Sequence, residues 1–152
     1  MSTISQQTQT GRRLLQAGVA LFLLGLLVGL AIPVLTNPRM GLASHLEAVM
    51  NGMFLVLLGL MWPKLDLSPR LLSVTFNLAL FATYANAVAT LLAAAWGTGS
   101  MMPIAAQGRT GSPVQELVVQ ALLVSLALSI VSVCVLLLIG LRGDGPTTQS
   151  SE

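Results

Sequence analysis

The chain has 152 residues, a formal charge of +2, 55% hydrophobic and only 8% charged residues, and a mean hydropathy of +0.85. A soluble domain carries about 25% charged residues, and 7 Lys+Arg, 5 Asp+Glu and one His cannot coat a water-facing surface. This excludes an ordinary soluble fold, a disordered chain and a nucleic-acid binder. The single cysteine, Cys134, excludes an internal disulfide and a CxxC metal site.

A membrane-spanning helix needs roughly 20 mostly apolar residues. Four segments meet this, at about residues 14–35, 38–61, 71–96 and 114–141. The expected fold is all-α, an integral membrane four-transmembrane-helix bundle, with flexible tails at 1–13 and 142–152. The first segment follows Arg12 and Arg13, and its apolar core exceeds that of a cleaved signal peptide, so it reads as a retained span. Gly18, Gly25 and Gly29 line one face of it, and Gly25/Gly29 match the GxxxG pattern of close helix packing.

Asn37-Pro38, Ser68-Pro69 and Ser112-Pro113 each place a capping residue before a proline, where helices 2, 3 and 4 should start. Ser112 with Gln115 fits a capping box, and so does Ser44 with Glu47. Trp62 and Trp96 fall at span ends, as interfacial rings do. Glu116 suits the first turn of helix 4 as a capping charge. Ser125, Ser129 and Ser132 form a small polar stripe along that helix, and the Gly- and Met-rich stretch 97–112 is long enough to cover one mouth of the bundle. Arg12, Arg13, Lys64, Arg70 and Arg142 share one side, against Arg39 and Arg109 on the other, which predicts both termini in the cytoplasm.

Polar side chains at membrane depth are costly and mark functional candidates. Helix 2 carries His45, Glu47 and Asn51. Helix 3 carries Asn77, Thr83, Tyr84, Asn86 and Thr90, and helix 4 carries Gln115, Glu116 and Gln120. Counted from the outer helix ends, His45 lies about 12 Å inward, Asn51 about 21 Å, Tyr84 about 18 Å, Asn86 about 15 Å and Gln120 about 10 Å. These five fall in one layer of the outer half of the membrane. His45 and Gly52, seven positions apart, share a helix face, so Gly52 is expected to leave room for a flat ligand. Each of these residues also has a structural reading. His45, Asn51, Tyr84 and Asn86 can serve as hydrogen-bonded packing groups, and Glu47 as a cap. A single histidine can supply one axial ligand to a haem and leave the other iron position open. A zinc cluster, a Ser-His-Asp set and a Gly-rich phosphate loop find no matching residues.

The stretch NPRMGLASHLEAVMNGMFLVLLGLMWPKLDLSPR, followed by TYANAVATLLAAAWGTGSMMPIA, resembles the hydroxylaminobenzene mutase family over about residues 14–141. The most specific parts are the block around His45 and Asn51 and the block around Tyr84 and Asn86. The helix-2 pattern is also similar to styrene oxide isomerase, in which a histidine is likewise followed six positions later by an asparagine. The resemblance implies an isomerase that converts an aryl hydroxylamine to a 2-aminophenol with ferric haem b as Lewis acid, in a homotrimer in the bacterial inner membrane. It further implies His45 as the iron ligand, and Asn51 and Tyr84 toward a small aromatic substrate; Asn86 is a further candidate catalytic residue by its depth, and Gly52 a cofactor-side candidate by its shared face with His45. The competing expectations are epoxide isomerisation on the same scaffold, a small transporter subunit, and a haem-binding electron-transfer or sensor protein.

Overall fold

The computed structural model describes residues 3–142. Four long helices form it: α1 (Thr3–Ala31), α2 (Pro38–Met61), α3 (Pro69–Trp96) and α5 (Pro113–Gly140), with a short α4 (Pro103–Ala106) before the last. Each long helix is long and apolar enough to cross a membrane, and no strand occurs among the described residues. The expected C-terminal tail lies almost wholly outside the described residues. The N-terminal expectation is corrected. Residues 3–13 are helical, because Gly11 already packs on α2 beside the Gly59 carbonyl and Gln7 Nε2 donates to the Leu65 carbonyl at 3.3 Å.

The helices start where their caps dictate. The Asn37 side chain accepts from Met40 N, Ser68 from Leu71 N, and Ser112 from Gln115 N in a complete capping box. Each is followed by proline at the first helical position, where a missing N–H costs nothing. Since α2 is already regular from Pro38, Ser44 and Glu47 do not form the capping box expected of them.

The arrangement is more open than a closed bundle. α1 lies along α2, α2 packs on α3, and α5 packs on α3 with no comparable contact to α1 or α2. α3 is therefore the central helix, with 50% of its span window buried against 22% for α1 and α5. The outer faces carry Leu23, Leu27, Leu30, Val114, Leu128 and Leu138, all exposed, as lipid contact requires.

In lipid, burial of apolar surface does not drive helix association, so close backbone packing must do so. α1 and α2 achieve it with glycines in antiparallel register. A Cβ on Gly11 would lie 2.8 Å from the Gly59 carbonyl oxygen, and one on Gly18 would lie 2.7 Å from that of Gly52. Gly11, Gly18 and Gly25 recur every seven residues on α1, opposite Gly59, Gly52 and His45 on α2. The third rung thus sets a histidine, not a glycine, against α1.

The outer end is tied by Asn37, which is fully buried. Its backbone N–H donates to the Ala94 carbonyl at 3.0 Å and its Nδ2 donates to the carbonyls of Ala105 and Ala106 at 3.0 and 3.3 Å. Gly97, at φ 72°, closes α3 in the left-handed conformation that glycine tolerates. Glu116 holds the following loop by accepting from Gly99 N, Ser100 N, Ser100 Oγ and Gly111 N, so it does more than cap α5. At the opposite end Asp66 N donates to the Gly140 carbonyl at 2.9 Å and joins the α2–α3 connection to α5.

Candidate functional site

His45 sits on α2 at the rim of its contact with α1. Its Nδ1 lies 2.8 Å from the carbonyl oxygen of Gly25. A carbonyl can only accept, so Nδ1 carries a proton, and in the neutral ring Nε2 is the nitrogen with the lone pair. Gly29 makes room for the ring, since a Cβ there would lie 2.8 Å from Nδ1 and 3.1 Å from Cε1. The imidazole is half-buried, and Nε2 takes no hydrogen bond from any described residue. An imidazole oriented by a main-chain carbonyl through one nitrogen is the usual support for metal ligation through the other. The donor set therefore fits a group that takes one imidazole. Among the described residues there is no cluster of three or more His, Cys, Asp or Glu that could hold a bare metal ion.

A second polar group lies between α2 and α3. Asn86 Nδ2 donates to Glu47 Oε2 at 2.7 Å. Asn51 Nδ2 donates to the Glu47 main-chain carbonyl at 2.8 Å, which leaves its own Oδ1 free of hydrogen bonds among the described residues. Glu47 and Asn86 both lie about 15 Å from the outer helix ends by rise per residue, so the pair joins two groups at one depth. Ser44, one turn before Glu47 on the same side of α2, is buried and its Oγ has no partner.

The structure joins some of the expected residues and separates others. Glu47, Asn51 and Asn86 come together. Tyr84 does not join them. Its hydroxyl donates to the Ala17 carbonyl at 2.9 Å and braces α3 against α1. The expected space beside Gly52 is corrected. The space beside it is filled by the α1 backbone, with Phe22 N only 2.6 Å from a Cβ built there, so it leaves no room for a flat ligand. Gln120 is exposed on α5. Thr83 and Thr90 bond back to carbonyls of α3, and Ser125, Ser129 and Ser132 to carbonyls of α5, so these are satisfied within their own helices.

Around α2, the outward arc from His45 through Leu46 to Glu47 spans about 200°, at about 100° per residue. Leu42, Leu46, Met50 and Met53 occupy that arc and are exposed. His45 and the Glu47–Asn51–Asn86 group are thus the two edges of one outward, apolar strip. On the α1–α2 side, a groove of about 350 Å³ lined only by Val19, Phe22, Met53, Val56 and Leu57 opens outward. The sequence reading missed the Glu47–Asn86 pair and the glycine rungs. The available signals were the equal depth of the first two and the seven-residue glycine spacing on both helices.

The family described as styrene oxide isomerase matches residues 10–142. The chain is 54% identical to hydroxylaminobenzene mutase HabB of Ectopseudomonas oleovorans, over 100% of this chain and 93% of that protein. It is 45% identical to hydroxylaminobenzene mutase HabA of the same organism, over 84% of this chain and 96% of that protein. No solved structure matches. A match over nearly the whole described chain, with relatives this similar, makes the chain an isomerase that belongs to the styrene oxide isomerase family.

Proposed function

We propose that this chain is a multi-pass enzyme of the bacterial inner membrane, with both termini cytoplasmic, that converts aryl hydroxylamines to 2-aminophenols by moving the hydroxyl oxygen within one molecule. The observation that carries the reading is the His45–Gly25 hydrogen bond, which orients the only imidazole and leaves Nε2 available. His45 would hold haem b through Nε2. When bound, a ferric haem with one protein ligand supplies a Lewis acid with an open coordination position.

The protein's own residues do the rest. The exposed apolar strip and the neighbouring groove suit an uncharged aromatic ring that enters from lipid. Asn51, with its amide nitrogen fixed on α2, presents Oδ1 to orient the substrate's polar end. Apolar walls exclude water, which otherwise attacks an electron-poor ring and scatters the product among isomers. Because His45 and Asn51 lie on opposite edges of the strip, a site using both is completed when the His45 edge of one copy meets the Asn51 edge of the next. Such a head-to-tail contact closes into a ring, in keeping with a homotrimer.

The test is an absorption spectrum and a phenylhydroxylamine assay on purified protein and its His45→Ala variant. The wild type should show a Soret band and form 2-aminophenol, and the variant should lose both. A haem-free preparation that forms 2-aminophenol at the full rate would remove the cofactor from the reading.

A further inference from the structure

Glu47 has no task in the proposed function, yet its surroundings are those of an aimed group. Among the described residues the other carboxyls are placed elsewhere. Asp66 is exposed in the α2–α3 connection, and Glu116 is engaged by the outer loop. Asn86 Nδ2 fixes Glu47 Oε2 at 2.7 Å, while Oε1 takes no hydrogen bond from any described residue. The carboxyl is half-buried, and the partnerless Ser44 Oγ lies one turn away. A polar atom left unpaired at membrane depth is costly unless a ligand or water meets it.

A fixed acceptor oxygen distinguishes molecules by whether they carry a donor. An aryl hydroxylamine has an N–H and an O–H, and an epoxide has neither. The matched family is named for an epoxide and the relatives for a hydroxylamine, so one scaffold serves both kinds of molecule. We infer that Glu47, aimed by Asn86, accepts the N–H of an aryl hydroxylamine and sets this chain's preference for hydroxylamines over epoxides. The inference rests on the proposed function and assigns the selectivity of that same site. A site built to hydrogen-bond a substrate donor rejects analogues that lack it by up to about 10⁴-fold or more. Polar contacts within membranes are individually weaker, so about tenfold is the expected lower end.

Glu47→Gln is the sharpest probe. Asn86 Nδ2 will hold the new carbonyl oxygen, which places an NH₂ donor where Oε1 stood. The paired Glu47→Leu/Asn86→Leu variant removes both partners and leaves neither unsatisfied. The assays compare phenylhydroxylamine with N-methyl-N-phenylhydroxylamine, which lacks the N–H, and calorimetry compares aniline with N,N-dimethylaniline. The wild type should favour the N–H compound of each pair, by about tenfold or more in kcat/KM. Both variants should bring the two ratios to within about threefold of unity, with the helical dichroism unchanged. A folded variant that keeps the wild-type ratios, or a wild type that binds both anilines equally, overturns the assignment. A wild type inert toward phenylhydroxylamine refutes the functional reading alone, and the aniline pair then decides on Glu47 in either direction.

Discussion

The Nδ1 atom of His45 lies 2.8 Å from the carbonyl oxygen of Gly25, at the rung where the glycine register of α1 and α2 would otherwise place a third glycine. The ring fits only because Gly29 lacks a side chain. Gly29→Ala puts a methyl group 2.8 Å from Nδ1 and must displace the imidazole. The expected outcome is loss or a strong shift of the Soret band, with helical dichroism retained. Substitution of the exposed Leu30 by alanine should leave the spectrum unchanged, and parallel spectra of the two variants check this.

Tyr84 spans α3 to α1 through a single hydrogen bond to the Ala17 carbonyl. Tyr84→Phe should therefore act on stability. Polar contacts between membrane helices contribute about 0.6 kcal/mol on average and at most about 1.7. A lowered unfolding temperature with kcat within about threefold of wild type is expected, that margin being under about 1 kcal/mol in the barrier. A fall in kcat of about a hundredfold with unchanged stability would return the hydroxyl to the substrate.

Placement of His45 and Glu47 on opposite edges of the outward strip of α2 makes a stoichiometric prediction. A site shared between neighbouring copies lets two defective chains complement each other. Co-expressed His45→Ala and Glu47→Gln chains should form mixed oligomers with more activity toward phenylhydroxylamine than either variant alone. Activity equal to the mean of the two separate variants would place the whole site within one chain.

The Glu116 carboxylate gathers four donors from Gly99, Ser100 and Gly111 and so fixes the outer loop. Glu116→Gln cannot accept all of them. With partial solvent exposure, the expected cost is about 1–2 kcal/mol. Thermal unfolding and limited proteolysis within residues 97–112 measure it, and unchanged proteolysis would show that the loop is held by other contacts.

Much of the fold was readable because hydrophobicity over some twenty residues and an N-cap before proline are local signals. Asn37, Ser68 and Ser112 cap the helices the sequence assigns to them. What escaped depends on pairing across helices. Periodicity put Gly52 and His45 on one face, but the occupant of the space opposite Gly52 is the Phe22 backbone, fixed by a register that only two helices together define. Ser44 and Glu47 matched a capping pattern by spacing, yet Asn37 had already begun the helix. The polar N-terminal residues resembled a loose tail, and the Gly11–Gly59 contact makes them helix. For the site, residue type and depth singled out His45, Asn51 and Asn86. They could not tell that Tyr84 turns toward α1.

The acceptor that steers His45 is a peptide oxygen, and every amino acid has one. No single codon change at position 25 can delete it. A substitution there acts only by bulk, since any side chain meets Val49 and Ala48. Drift along α1 is thus punished through crowding and never through loss of the chemical partner. Variation in this helix should concentrate on the lipid-facing leucines, and the four glycines that face α2 should be the positions least open to replacement.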